Sequence, residues 1–115
     1  MRFRASVFIN RIVVDAVGET SMANLPTVDA LESCHSFPCR YMFKVIGHSS
    51  DRFVGMVVAS VREEIQQDDD PPFRFRQTSS GLHMSVTIEP EVTSPQQVLA
   101  IYSRLSQIDG LIMLL

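Results

Sequence analysis

Cysteine is scarce in this sequence, with Cys34 and Cys39 the only two. Two thiols cannot build a disulfide framework, and their separation is not the C-x-x-C spacing of redox sites, so reduced thiols are expected. No apolar run approaches the ~20 residues that cross a bilayer, and no segment joins a basic start, an apolar middle and a small-residue cleavage site. The expectation is a soluble, cytoplasmic protein. Positive charge is not in excess either, because ten Lys and Arg face thirteen Asp and Glu for a net charge of −3. That removes any general attraction to phosphate backbones or anionic lipid, so neither nucleic acid nor membrane is an expected partner. Also missing are H-E-x-x-H, a glycine-rich phosphate loop and any nucleophile–base–orienter set. A non-enzyme without a cofactor follows as the expectation.

What is present is apolar patterning. Hydrophobic residues make up 45% of 115 positions, enough for one domain with a modest core. From Phe73 to Thr78 apolar and charged residues alternate, and from His83 to Glu89 Met84, Val86 and Ile88 alternate with polar neighbours. With Thr78-Ser-Ser-Gly81 between them, these stretches predict a hairpin with one buried and one wet face. Arg40 to Ile46 predicts an earlier strand, with Tyr41, Phe43 and Val45 inward and Met42, Lys44 and Ile46 outward. Gly47-His48-Ser49-Ser50-Asp51 breaks it and offers a cap to a helix whose apolar stripe runs from Phe53 to Ile65. Asp68-Asp-Asp-Pro-Pro72 ends that helix. Ser94-Pro-Gln-Gln97 is a capping box with proline at the first helical position, and it predicts a second helix along Val98, Ile101, Tyr102, Leu105 and Ile108, closed by Gly110. Leu111 to Leu115 is apolar throughout and reads as a last strand.

The N-terminal third carries less pattern. Residues 1–36 read as an arm or leader, peripheral or poorly ordered, and the domain as 37–115. Residues 1–21, rich in arginine before their first acid, read either as a peripheral arm or as residues upstream of a start at Met22. Ala23 to Pro38 has two prolines and no sustained period, so a loop with at most one helical turn around Val28 to Ser33 is expected. Cys34-His35 with Cys39, His48 and His83 has only fragments of a zinc pattern, and Asp68 to Asp70 lacks the spaced ligands of a calcium loop. No metal site is expected.

Strand, helix, strand, strand, helix, strand, with right-handed crossovers, predicts an α+β ferredoxin-like fold. Its four-stranded antiparallel sheet would run in the order 4-1-3-2 with two helices on one face. Phe37-Pro-Cys-Arg-Tyr-Met-Phe-Lys-Val-Ile-Gly47, Thr78-Ser-Ser-Gly81 with Met84-Ser-Val-Thr87, and Ile101-Tyr-Ser-Arg-Leu-Ser-Gln-Ile108 resemble the YbeD-like family of small uncharacterised bacterial proteins. The resemblance implies an ACT-like fold, a regulatory module, no known catalytic residue and an association with lipoate metabolism. The family's hairpin usually reads Ser-Ser-Lys-Gly with an aromatic following; here the lysine is absent and Leu82-His83 follows Gly81.

The expected function is therefore a regulatory or adaptor domain that binds a metabolite, a protein or its own copy. By likeness to ACT domains a small-molecule effector would meet Gly47, His48, Ser49 and Ser50, where glycine admits a ligand and a helix N-terminus favours a carboxylate. A homodimer would use an apolar patch of Met42, Ile46 and Met113 on the sheet's open face. The RNA-binding alternative lacks aromatics at Met42, Lys44, Ser85 and Thr87, where such modules stack bases.

Overall fold

A computed structural model describes residues 25–115, and before them the backbone of residues 13–14 and 20–21. The rest of the arm expected at residues 1–21 lies outside the described residues. The strands are β1 (Val13–Val14), β2 (Thr20–Ser21), β3 (Cys39–Arg40), β4 (Phe43–His48), β5 (Phe73–Gln77), β6 (His83–Ile88), β7 (Glu91–Val92) and β8 (Leu111–Leu114). The helices are α1 (Val28–Cys34), α2 (Asp51–Ile65) and α3 (Pro95–Leu105). One sheet runs β2-β1-β8-β4-β6-β5, and β3 and β7 form a separate two-stranded ladder. The pairings are antiparallel throughout. Counting β4, β5, β6 and β8 alone, the order is 4-1-3-2. The expected four strands and two helices are thus exceeded by α1, by β3–β7 and by β1 and β2 at the β8 edge.

Local chemistry explains each helix boundary. Ser50 caps α2 by accepting hydrogen bonds from the N–H groups of Arg52 and Phe53, at 3.0 and 3.4 Å. The chain leaves α2 through Gln66, whose left-handed backbone (φ 57°, ψ 47°) ends the helix before the prolines are reached. Ser94 caps α3 with a 3.1 Å bond from the Gln97 N–H, and the Gln97 side chain returns to accept from the Thr93 N–H at 2.9 Å. This is the capping box displaced by one residue on its return arm. α3 closes at Leu105, earlier than expected, and Gly110 (φ +86°) turns the chain into β8 instead of ending the helix.

α1 lies where a single helical turn was expected and runs for seven residues. Thr27 accepts a hydrogen bond from the Ala30 N–H at 3.0 Å, and Leu31 is buried in the main core. Seven residues with a single buried side chain leave little periodicity to detect. The strand expected from Arg40 also begins later, at Phe43, and continues through Gly47 to His48.

α2 and α3 cover one face of the sheet. Phe43, Val45, Val86 and Ile88 from the central strands meet Val57, Val61, Val98, Ile101 and Leu105 from the helices, all fully buried. Near the start of β4 the Tyr41 and Tyr102 hydroxyls hydrogen-bond at 3.2 Å, satisfying both polar groups inside an aromatic cluster with Phe43. Outside the core, Arg104 on α3 pairs with Glu63 and Glu64 on α2; the Glu64 hydrogen bond holds its pKa above the ordinary arginine value.

Candidate functional site: two ends of α2 and a bare sheet edge

The four residues expected to meet a ligand have structural employment. A Cβ placed on Gly47 would lie 2.3 Å from the Phe53 ring, so glycine stands there to admit an aromatic side chain of α2. Ser50 is the α2 cap. Ser49 donates its N–H to Leu82 O and receives the Gln77 amide on its hydroxyl. His48 is exposed, stands opposite His83 across the β4–β6 ladder, and donates its backbone N–H to Gly110 O at 2.9 Å. Beside them lies a depression of about 340 Å³ lined by His48, Ser50, Arg52, Phe53, Met56, Asp109 and Gly110. Arg52 is its cation and Asp109 its anion.

The expected dimer patch is also divided. Ile46 and Met113 are only 7% and 1% exposed within the single chain, and they form a small apolar cluster with Ile112 and Leu115. Met42 alone of the three is open, at 52%. Met113 stands opposite Val13 in the β1–β8 pairing, so the β8 edge of the sheet is itself paired.

The other edge is different, and here the sequence reading needs its largest correction. Phe73 and Phe75 stand opposite Ile88 and Val86 and therefore share the helix-facing side, as alternation predicted. Yet they are 39% and 52% exposed, and all five residues of β5 are exposed. The two rings stack on each other at 6.4 Å with planes 15° apart. Alternation reports which face a side chain takes; it does not report whether the covering helices reach the outermost strand.

The ladder's hydrogen bonds give the direction of each backbone group on β5. Glu89 donates its N–H to Pro72 O and Thr78 donates to His83 O, both at 2.9 Å, so the bonded pairs fall on even-numbered residues of this strand. In an antiparallel ladder bonded and non-bonded pairs alternate. Arg74 and Arg76 consequently turn their amides toward β6. The N–H and C=O groups of Phe73, Phe75 and Gln77 point away from the sheet.

On the opposite face Arg74, Arg76 and Lys44 surround a shallow depression of about 150 Å³ floored by Ser85 and Thr87. Arg74 contacts Glu89 at 3.3 Å, an exposed pair that leaves the arginine largely solvated. Arg76 belongs to no ion pair among the described residues. The edge thus presents aromatics on one side, cations on the other and unused backbone groups between.

Cys34 is exposed and Cys39 half-buried, both free, and no group of three His, Cys, Asp or Glu side chains is placed to hold an ion among the described residues. The acidic turn after α2 is partly neutralised by the Arg62–Asp70 ion pair. No helix among the described residues is long and apolar enough to cross a membrane.

Residues 32–115 match the family described as protein of unknown function DUF493. The chain is 36% identical over 74 residues to a UPF0250 protein of Shewanella amazonensis and 38% identical to one of Shewanella halifaxensis, in each case covering 64% of this chain and 82% of the relative. Among solved structures it is similar to protein HP0495 of H. pylori, with a TM-score of 0.55 over 81% of this chain and 90% of that one. At 20% identity this likeness speaks to the fold alone. The chain therefore belongs to the DUF493 family, together with the UPF0250, YbeD-like proteins of bacteria.

Proposed function

We propose that this chain is a non-catalytic adaptor domain of ferredoxin-like, ACT-like organisation that acts by holding another protein along β5. The observation that carries the reading is the bare edge strand, five exposed residues with Phe73 and Phe75 stacked in solvent. Natural sheets blunt their edges with charge, bulges or cover, because an open row of N–H and C=O groups invites a further strand. Among the described residues β5 has arginines but neither bulge nor cover, and its aromatics add apolar area that a partner could bury.

Proline at position 75 is the discriminating change. It removes one outward N–H while leaving the ladder to β6 intact, since the bonded pairs there are Arg74 and Arg76. With the full chain as bait in native bacterial extract, specific partners should be retained by the wild type and by His48→Ala but lost from Phe75→Pro. An identical set of partners on all three baits would remove β5 from the reading.

A small carboxylate effector beside Arg52 is the second reading, favoured by the depression at the start of α2. A thermal-shift screen of amino acids and lipoate-pathway metabolites tests it, because a ligand at 100 times its Kd adds ~2.7 kcal/mol of stability. Asp109 in the same depression and the filled space at Gly47 argue for the protein partner first.

A further inference from the structure

Resting on the adaptor reading, we infer that the partner of β5 is an extended acidic segment, alternating acidic and apolar side chains, that pairs with Phe73–Gln77 as an additional strand. The inference follows from what each face of β5 would set against an incoming strand. Residues directly opposite in a ladder share a face, so an added strand places every second side chain over Phe73 and Phe75 and the intervening ones beside Arg74 and Arg76. The first set is best apolar, to continue the stacked aromatic surface. The second lies against Arg74 and Arg76, with Lys44 of β4 two strands further in on the same face and Glu89 the carboxylate that meets Arg74. Only acidic side chains complement that row.

The same rule disfavours the obvious alternative, a second copy of this chain. A two-fold antiparallel pairing of β5 with itself must oppose residues of the same face. Every such register that keeps both arginines inside the ladder sets Arg74 or Arg76 against an arginine of the other copy. Centring the pair on Phe75 opposes Arg74 with Arg76; centring it on either arginine opposes that arginine with itself. Like charges directly opposite destabilise a ladder. The arginines thus repel β5 of another copy and attract an acidic strand, which makes the edge selective instead of merely sticky.

Fluorescence anisotropy of short labelled peptides with the full-length protein tests the inference. An alternating Val/Glu peptide, an alternating Val/Lys peptide, an alternating Val/Gln peptide and a peptide with the valines and glutamates in two blocks form the probe set. The Val/Glu peptide should bind about tenfold tighter than Val/Gln and the Val/Lys peptide should not bind, as expected of two or three cross-strand charge pairs. Arg74→Glu with Arg76→Glu should reverse the order of Val/Glu and Val/Lys. Phe75→Pro should weaken Val/Glu binding while Phe75→Leu retains it. Equal binding of the alternating and block acidic peptides, or indifference to Phe75→Pro, would overturn strand pairing. Equal binding of Val/Glu and Val/Gln, both lost with Phe75→Pro, would overturn the acidic partner while leaving the adaptor edge standing. No binding by any alternating peptide would overturn both.

Discussion

The two flanks of the central strand pair, β8 and β5, both carry apolar side chains and are treated oppositely. At the β8 edge Leu111, Met113 and Leu114 are buried and the strand is paired onward to β1. At the β5 edge Phe73 and Phe75 are exposed and, among the described residues, no strand follows. The reach of the two helices accounts for the bare phenylalanines, and the arginines on the other face set the charge of that edge. β8 has no charged residue to keep it from being covered, whereas β5 alternates phenylalanine with Arg74 and Arg76, whose charges stay solvated on one face. The lesson is that alternation assigns a face to an edge strand's apolar residues, and the reach of the covering layer decides whether that face is core or contact surface.

The comparison breaks most visibly if the shared centre of the sheet is damaged. Phe43→Ala should cost ~3–5 kcal/mol, most of the stability of a domain this size, because the ring is fully buried between β4 and α3. Thermal melting would read it as an unfolded or barely folded chain. Met113→Ala and Phe75→Ala then compare the edges directly. The first should cost ~2–4 kcal/mol and the second well under ~1, since one side chain is buried and the other solvated. Equal losses in urea unfolding would erase the distinction.

Smaller effects sharpen the assignment of Gly47. Gly47→Ala forces a methyl group against the Phe53 ring and should cost ~1–3 kcal/mol. Gly55→Ala, in an exposed part of α2 with nothing near its missing Cβ, should stabilise by ~0.5–1 kcal/mol. A neutral Gly47→Ala would return that position to the ligand reading. Smaller still, a chain starting at Met22 should melt within about a few degrees of the full chain, because it keeps every core residue described, from Leu31 to Leu114. Having lost β1, it should self-associate through β8 at high concentration where the full chain does not. Sedimentation equilibrium of the two chains separates these outcomes.

Most of the frame is legible in the sequence wherever local chemistry decides. Ser94-Pro95 announces α3, Ser50 announces α2, and the Thr78–Gly81 turn joins two alternating strands, because caps, proline and positive φ act within a few residues. Three features are not legible, each for a tertiary reason. α1 depends on burying the single residue Leu31. The role of Gly47 depends on where a ring from α2 comes to rest. The exposure of Phe73 and Phe75 depends on how far two helices extend across a sheet. Of the candidate site, the alternation from Phe73 to Thr78 marks a charged wet face, but it places the phenylalanines on the face read as buried.

Residue-resolved amide hydrogen exchange is the most direct measurement of the account, because it reports each backbone group of β5 separately. In the free, dilute protein the N–H groups of Phe73, Phe75 and Gln77 should exchange quickly while those of Arg74 and Arg76 are protected by β6. An excess of the alternating Val/Glu peptide should slow the first three and leave the other two unchanged. Protection of Phe75 in the free protein at low concentration, or no slowing at these three positions with the peptide bound, would contradict an open edge built to receive an acidic strand.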